Sequence, residues 1–545
     1  MTTETSNTTA GGDAPPVQRW SRAEWMLFAL VLLVAIGSRW MTFNRVFDRD
    51  PEGCGAFYGQ LARNYFRYGI VKTFAVPIQN IGTGSSEIVF YANHPPLLPL
   101  LIAGTYKVCS WDPTDANDVP REWQTRLSTT LFTIACAGAI FVILRNRAGM
   151  RAATISGVLF SIVPMTLYFG SQPDVINTQL CFFGLLTTAA YLRFHERQSP
   201  ATFAILCLAF APMASTDWPA FHLAAVLGLH FVITRPVKRW PWIIAFGFVC
   251  AAYFFILYVQ VVAVTHDWAW MSRLVKRRAL GGESDTRETI TLSGWFDHAV
   301  FGHALRNHTA YMLVPMLAWV ALVALRPLRR QAATPFVGLM LGWAFLHVLV
   351  GRQGVYVHEW WWWPLTPAAA MAAGVAVEYA MSWLEAHRAP CVGTNAAVSV
   401  ALLLVALANV RYASSLLAHP YTVSNTSLNY SLTELGDAVR ASAGRNQSVM
   451  LAESDETLGL WYYADRPIMR NVWGTDSFDH RFHDGHTDLP FGLLEKSDRL
   501  PVALIIPKAY LSPKMQPLLD YCGERYERQD SVKFITFAFE RKPNK

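Results

Sequence analysis

The sequence predicts an α-helical polytopic membrane protein that carries a small C-terminal α/β soluble domain. Of its 545 residues, 52% are hydrophobic and only 16% are charged, which is too apolar for an ordinary soluble protein. Apolar stretches long enough for transmembrane helices recur between residues 25 and 412, and the composition becomes mixed after that point. We therefore expect a disordered cytoplasmic tail at 1–24, a transmembrane domain at 25–412 and a soluble outer domain at 413–545.

The apolar stretches predict about eleven transmembrane helices. They cover residues 25–43, 124–144, 152–169, 177–192, 202–214, 220–233, 240–264, 310–325, 334–350, 365–383 and 396–410. Basic residues gather in alternate loops between these spans, and cytoplasmic loops are enriched in Lys and Arg. This pattern predicts a cytoplasmic N-terminus and a C-terminal domain on the outer side.

The first outer loop, residues 47–123, carries three acidic side chains within five residues. Asp48, Asp50 and Glu52 directly follow the first span. From residue 57, apolar residues recur at helical spacing until Gly69, which predicts an amphipathic helix in the membrane interface, and residues 97–108 predict a second interfacial helix. Carboxylates held in this way suit general-base chemistry, and a solvated loop followed by an interfacial anchor is the alternative.

Two further acidic residues end spans on the same outer side. Asp174 follows the third span, and Asp217 opens the corner before residue 220. Asp174 either faces water, caps the next helix or faces a cleft beside the first outer loop. Because acidic groups are costly to hold near lipid, we expect these residues to line a wet cavity.

Basic residues on the outer side are candidates for binding an anion. Arg273, Lys276, Arg277 and Arg278 begin the long loop 266–307, against the usual charge bias of outer loops. A flexible segment that binds phosphate and a disordered connector are the two interpretations.

A second outer segment, residues 351–364, contains four consecutive tryptophans that predict an interfacial aromatic belt. Arg352 and His358 precede these tryptophans and are expected at the membrane surface. The planar guanidinium of Arg352 suits phosphate, and snorkelling to lipid headgroups is the alternative.

The segment after residue 412 alternates helical and strand-like patterns. Ser431 and Glu434 form a capping box before an amphipathic helix over 431–440. Strands are predicted at 449–452, 502–507 and 532–539, and a helix at 515–521. This alternation favours a small α/β domain.

Several motifs resemble those of bacterial GT-C superfamily membrane glycosyltransferases, which include protein O-mannosyltransferase (dolichyl-phosphate-mannose-protein mannosyltransferase-like) and aminoarabinose transferase relatives. The resemblance covers nearly the whole chain, and it identifies the superfamily rather than the substrate. The motifs occur in the expected order: Gly55-Ala56-Phe57-Tyr58, Ala62-Arg63-Asn64-Tyr65-Phe66-Arg67-Tyr68-Gly69, His94-Pro95-Pro96-Leu97, Tyr168-Phe169-Gly170 with Asp174, Asp217-Trp218-Pro219, His358-Glu359-Trp360 and Tyr463-Ala464-Asp465-Arg466-Pro467.

The resemblance implies an inverting glycosyltransferase (hexosyl- or pentosyltransferase) in the inner (plasma) membrane. Such an enzyme moves a sugar from a polyprenyl-phosphate donor to an acceptor hydroxyl on the outer face, and an acidic residue of the first outer loop is the base. Relatives often carry an Asp-Glu pair four residues before the tyrosine equivalent to Tyr58, where this chain has Cys54. Because its acids come earlier, the base is predicted to be Asp50 or Glu52.

The remaining candidates divide into two groups. The donor phosphate is predicted to bind Arg352, His358, Arg277 and Arg278. Asp174, Asp217, Tyr58 and His94 are predicted to bind the acceptor or position the reacting groups.

Partners and alternatives follow from the same reasoning. The expected partners are a lipid-linked sugar donor, an acceptor lipid, glycan or protein, and membrane lipids. Nucleic acid is excluded because the net charge of +7 comes from short loops. The cysteines show no zinc-type spacing, so no cofactor is predicted with certainty, and a divalent metal is left open. A transporter or lipid flippase is the alternative function, and an inactive relative is a third.

Overall fold

The computed structural model describes residues 20–47, 53–81, 88–115, 118–174, 176–276, 291–387, 393–418, 431–451, 457–469, 501–511 and 513–541. Helices dominate these ranges as far as residue 418. They are α1 (Arg22–Gly37), α2 (Gly53–Tyr68), α3 (Leu97–Val108), α4 (Glu122–Ala148), α5 (Met150–Ile162), α6 (Pro164–Phe169), α7 (Thr178–Glu196), α8 (Pro200–Thr216), α9 (Pro219–Thr234), α10 (Trp240–Thr265), α11 (Trp270–Val275), α12 (Leu292–Trp295), α13 (Leu305–Ala324), α14 (Thr334–Val350), α15 (Arg352–Val357), α16 (Leu365–His387) and α17 (Gly393–Ala418).

Each of the predicted spans contains helix, although α1 ends at Gly37, before the end of the span 25–43, and the polytopic helical fold is confirmed. The span predicted at 152–169 is two helices, α5 and α6, because Pro164 begins a new helix there. Within the described ranges, four helical stretches are long and apolar enough to cross a membrane, and five shorter apolar helices accompany them. The first three long stretches contain α4, α10 and α13, and the fourth lies within α17.

The centre of the bundle is formed where α5 packs against α4 and α16. The buried face of α16 is rich in alanine, and a Cβ at Gly374 would overlap Ser156 of α5. Small residues let helix backbones approach closely in membranes. By contrast, α10 and α17 are mostly exposed and offer apolar side chains suited to lipid.

The amphipathic helix predicted in the first outer loop is α2, and Gly69 ends it with a φ of +86°. It is more enclosed than an interfacial helix would be, because it packs against α3, α4 and the C-terminal helix α19 (Thr457–Ala464). A Cβ at Gly59 would meet the Tyr462 ring at 2.5 Å, so glycine permits this close approach.

The C-terminal segment is an α/β unit, as predicted. Its helices are α18 (Leu432–Ser442), α19 and α20 (Gln516–Arg525), and the predicted capping box of Ser431 and Glu434 is present. Its strands are β1 (Val449–Leu451), β2 (Ile468–Met469), β3 (Ala503–Pro507), β4 (Tyr526–Asp530) and β5 (Phe534–Arg541).

The five strands form one sheet with the order β2-β1-β3-β5-β4. The pairings β1–β2 and β1–β3 are parallel, whereas β3–β5 and β4–β5 are antiparallel. The sequence reasoning found β1, β3 and β5 but missed the two edge strands. β2 has only two residues, and most side chains of β4 are exposed and polar, so neither shows an apolar pattern.

Candidate active site

The corner between α8 and α9 holds Asp217 in contact with the first outer loop. Asp217 follows the last residue of α8, and Pro219 is the first residue of α9, which suits its fixed φ. The Asp217 carboxylate accepts a hydrogen bond from His94 Nδ1 at 2.7 Å and another from the Trp218 backbone N–H at 2.8 Å. Trp218 Nε1 in turn donates to the Asn93 carbonyl at 2.8 Å.

The His94–Asp217 pair is shielded from solvent, with side-chain exposures of 8% and 1%. A carboxylate only accepts hydrogen bonds, so Nδ1 of His94 carries the proton and its Nε2 is left for other groups. The pair therefore fixes the tautomer and the orientation of the imidazole.

Asp174 lies in the short connection between α6 and α7. Burial raises the pKa of its carboxyl to about 6. The nearby His94 and hydrogen bonds from Cys54 and from the Ile176 backbone N–H act in the opposite direction and lower this pKa. The Ile176 contact measures 3.3 Å. A carboxyl with a pKa near neutrality can exchange protons at working pH, and such groups concentrate at functional sites.

Tyr58 completes this cluster from the side of α2. Its hydroxyl lies 3.3 Å from the hydroxyl of Tyr91, and the Tyr91 ring lies 5.9 Å from the ring of His94. Burial raises the pKa of Tyr58 well above its ordinary value, with Tyr91 and Asp174 contributing. The structure thus brings Tyr58, His94, Asp174 and Asp217 together, although α2 and three different connections between helices supply them.

The predicted bases lie outside the described residues. Asp50 and Glu52 both belong to the gap between residues 47 and 53, as does Asp48. The chain that directly follows them begins α2, whose Cys54 contacts Asp174.

The predicted phosphate-binding residues are spread along the neighbouring segments. Arg277 and Arg278 fall outside the described residues. Arg273, the first basic residue of that loop, forms an ion pair with Asp267. Arg352 begins α15 with an exposed side chain, and its carbonyl accepts a hydrogen bond from Trp295 Nε1 at 3.1 Å.

His358 stacks on Trp360 with ring centroids 4.7 Å apart. His358 and Arg352 lie in the segment 351–364. Two other residues of this segment, Gly351 and Trp361, line a cavity that His94 and Asp217 also line. The side chains of Arg352 and His358 are not part of the cavity wall formed by the described residues.

The cavity encloses about 520 Å³ between α9, α10, α11 and α14. One side is apolar and includes Phe221, Phe254, Leu274 and Val350. Phe254 is 38% exposed and Val350 is 43% exposed, so this side opens to the outside of the helix bundle.

The other end of the cavity is polar and adjoins the cluster around Asp217. It is lined by Asn93, His94, Asp217, His222 and His347. The cavity is therefore amphipathic and suits a ligand that combines a long apolar chain with a polar head.

Sequence reasoning missed His222 and His347. His347 lies within the span predicted at 334–350, and an ionisable residue inside a span was a usable signal because such residues are costly there. Within the described ranges, no group of three or more His, Cys, Asp or Glu side chains is arranged to hold a metal ion.

Comparisons with known proteins show what the chain resembles in sequence and in fold. The family model described as dolichyl-phosphate-mannose-protein mannosyltransferase matches residues 93–266, which include His94, Asp174 and Asp217. A comparison with curated proteins found no match.

Two solved structures share the fold over most of the chain. ArnT from Cupriavidus metallidurans bound to undecaprenyl phosphate is 14% identical with a TM-score of 0.60, and the match covers 96% of this chain and 100% of that one. The archaeal oligosaccharyltransferase AglB from Archaeoglobus fulgidus, in complex with an inhibitory peptide and a dolichol-phosphate, is 12% identical with a TM-score of 0.57, covering 95% of this chain and 74% of that one.

These matches place the fold of this chain in a class, the membrane-embedded GT-C fold. The solved structures confirm the fold that the resemblance implies, and the family match over residues 93–266 agrees with that resemblance.

Proposed function

We propose that this chain is an inverting glycosyltransferase that moves a sugar from a polyprenyl-phosphate donor to an acceptor hydroxyl on the outer face of the inner (plasma) membrane. The observation that carries the proposal is the amphipathic cavity, whose apolar side opens out of the bundle and whose polar end adjoins His94 and Asp217. The ligands of the two structural relatives, undecaprenyl phosphate and dolichol-phosphate, likewise combine a long apolar chain with a polar head.

The proposed reaction is a single displacement. Asp50, with Glu52 as the second candidate, takes the proton from the acceptor hydroxyl, and the oxygen attacks the anomeric carbon of the sugar. The bond between that carbon and the phosphate oxygen breaks, and its electron pair leaves with the polyprenyl phosphate. Attack opposite the leaving group inverts the anomeric carbon. The phosphate is already a stable anion, so cationic groups rather than a strong acid assist its departure.

The other candidates keep separate roles in this proposal. Arg352, His358, Arg277 and Arg278 stabilise the donor phosphate. Asp174, Asp217, Tyr58 and His94 orient the acceptor and the reacting groups. The contacts that support these roles are the His94–Asp217 pair at 2.7 Å and the Tyr58–Tyr91 contact at 3.3 Å.

The proposed topology follows the charge pattern of the loops. The tail 1–24 lies in the cytoplasm, the catalytic domain spans 25–412, and the α/β domain 413–545 lies outside. The acceptor, whether lipid, glycan or protein, then approaches from the outer side, where the lipid-linked donor is also bound.

The test uses the purified full chain in vesicles containing a polyprenyl-phosphate sugar labelled in the sugar. We expect loss of labelled lipid, appearance of free polyprenyl phosphate, and transfer of the label to an added acceptor. An Asp50→Asn, Glu52→Gln double variant at the same protein level serves as the matched control. Movement of intact labelled lipid across the bilayer, without cleavage, would instead identify a flippase and reject the proposal.

A further inference from the structure

The polar end of the cavity contains three nitrogen or oxygen atoms that have no hydrogen-bond partner among the described residues. They are Nδ1 of His222, Nδ1 of His347 and Oδ2 of Asp217. His347 and Asp217 are each only 1% exposed. Buried polar atoms normally have partners, so an unpaired set on one cavity wall indicates where a ligand supplies the missing groups.

The hydrogen bonds around His347 determine what its free nitrogen can do. Its Nε2 lies 3.0 Å from the Trp361 carbonyl, which can only accept, so Nε2 carries the proton. In the neutral ring Nδ1 then has a lone pair and acts as an acceptor. The rings of His347 and His222 lie 5.7 Å apart, so both imidazoles face the same part of the cavity.

Asp217 contributes an acceptor of the same kind. Oδ1 of Asp217 accepts hydrogen bonds from His94 Nδ1 and from the Trp218 backbone N–H, whereas Oδ2 has no hydrogen-bond partner among the described residues. Asp217 is also near enough to interact electrostatically with both His222 and His347. The wall therefore combines a negative charge with an unprotonated imidazole nitrogen.

Such a wall selects its ligand by charge and by hydrogen-bond type. Hydroxyl or ammonium groups would satisfy the unpaired acceptors. A phosphate or carboxylate would leave them unpaired and would be repelled by Asp217. The polar end therefore suits a polyhydroxylated ring and does not suit a phosphate. In a polyprenyl-phosphate sugar, the phosphate lies between this ring and the apolar chain.

We propose that His222, His347 and Oδ2 of Asp217 form the subsite for the sugar ring of the donor, and that they select neutral or amino sugars over sugar acids. The inference rests on the proposed function. The inference adds to the proposed function two specificity-determining histidines, His222 and His347, and the class of sugar that the donor carries.

The test compares three lipids that share one polyprenyl chain: the sugar-free phosphate, the hexosyl phosphate and the hexuronosyl phosphate. Binding to the purified full chain is measured for each lipid. We expect the wild-type protein to bind the hexosyl lipid more tightly than the hexuronosyl lipid. His347→Phe should lose about tenfold in affinity for the hexosyl lipid and keep its affinity for the sugar-free phosphate.

Two variants and a control separate recognition from folding. His347→Gln retains an amide donor and an acceptor, so it should recover most of the hexosyl affinity. Asp217→Asn removes the charge and should narrow the difference between the hexosyl and hexuronosyl lipids. His230→Gln is the matched control, because His230 bonds to Tyr191 away from the cavity, and it should bind all three lipids as the wild type does.

The results that overturn the inference are distinct from those that reject the proposed function. Equal loss of the sugar-free and hexosyl lipids in His347→Phe, or equal wild-type affinity for the hexosyl and hexuronosyl lipids, overturns the sugar subsite alone. Failure of the wild-type protein to bind any of the three lipids rejects both.

Discussion

Asp465 and Arg63 form a buried ion pair, with Oδ1 and Nη1 2.9 Å apart and both side chains 1% exposed. The pair joins α2, which carries Tyr58, to the end of α19 in the C-terminal unit. Arg67 reaches the same oxygen at 3.0 Å. Burial alone would raise the pKa of Asp465, but the neighbouring arginines, Arg63 first among them, hold it below the ordinary value. The C-terminal unit is thereby fastened to the helix that borders the candidate active site.

Replacing Asp465 with Asn should strongly destabilise the protein. Arg63 would remain buried without its counter-charge, and removal of one partner of a buried pair typically costs about 3–5 kcal/mol. Thermal unfolding of the purified variant in detergent measures the loss. Asp437→Asn is the matched control, because Asp437 is 60% exposed in its pair with Arg440 and should change the free energy of unfolding by less than about 0.5 kcal/mol. Equal melting temperatures for the Asp465 variant and the wild type would contradict this reading of the contact.

Asp174→Asn should change how stability depends on pH. The folded-state pKa of Asp174 is about 6 and its ordinary value is 3.8, so the folded protein binds this proton more tightly than the unfolded chain. The group therefore favours folding below the ordinary pKa, and that contribution is lost as the pH rises through about 6. The Asn variant lacks this loss, so its stability relative to the wild type should increase between pH 4 and 7, by about 3 kcal/mol at most.

Melting temperatures of both proteins across that pH range provide the measurement. Asp112→Asn is a useful comparison, because hydrogen bonds from Thr114 lower the pKa of Asp112 below its ordinary value of 3.8. Its pH dependence has the opposite sign and lies below that value, so between pH 4 and 7 its difference in stability from the wild type should stay nearly constant. A constant difference between the Asp174 variant and the wild type would show that the carboxyl is not desolvated.

Much of the fold could be predicted because it depends on local apolar patterns. The transmembrane helices are long apolar runs, and β1, β3 and β5 are strongly apolar strands. The position of α2 was harder to predict, because its amphipathic pattern indicates an apolar partner but does not show whether that partner is lipid or protein. The buried Arg63 of α2 contacts Asp465 only because tertiary packing brings α2 and α19 together, and no local pattern predicts that contact.

The candidate site, like the fold, could be predicted from the sequence only in part. His94, Asp174 and Asp217 were found because they border spans on one predicted side. His222 and His347 were missed because they lie inside apolar runs, where a lone histidine resembles a packing residue. Their significance depends on the cavity between α9 and α14, which no local pattern describes.

Arg352→Ala should weaken donor binding without harming the fold. The side chain is exposed, so truncation should change the free energy of unfolding by less than about 0.5 kcal/mol. Loss of a hydrogen bond to a charged phosphate should reduce donor affinity by about tenfold or more. Binding of a polyprenyl-phosphate sugar in detergent tests this, and Arg329→Ala, another exposed arginine, is the control. Normal donor affinity in the Arg352 variant would remove this residue from the phosphate site.

The last prediction concerns the base. Three carboxylates occur within residues 48–52, immediately before α2. Asp48 is the nearest of the three to the end of the first span and to Arg45, and it is adjacent to Arg49, so it is the best candidate for a structural ion pair. Asp50 precedes Pro51, which favours an extended backbone at Asp50, and we expect this to direct its side chain away from the following turn. Glu52 is nearer Tyr58 and the family's acidic position, but its side chain is longer and looser.

We therefore expect Asp50→Asn to reduce the transfer rate most, Glu52→Gln to follow, and Asp48→Asn to affect it least. Loss of a general base typically costs about 10²–10⁴ in rate. Transfer rates are compared at matched protein levels, with donor binding measured in parallel to separate chemistry from affinity. Near-normal rates for both Asp50→Asn and Glu52→Gln would exclude this loop as the source of the base. The base would then be sought at Asp174, whose pKa of about 6 suits proton transfer, and at Asp217.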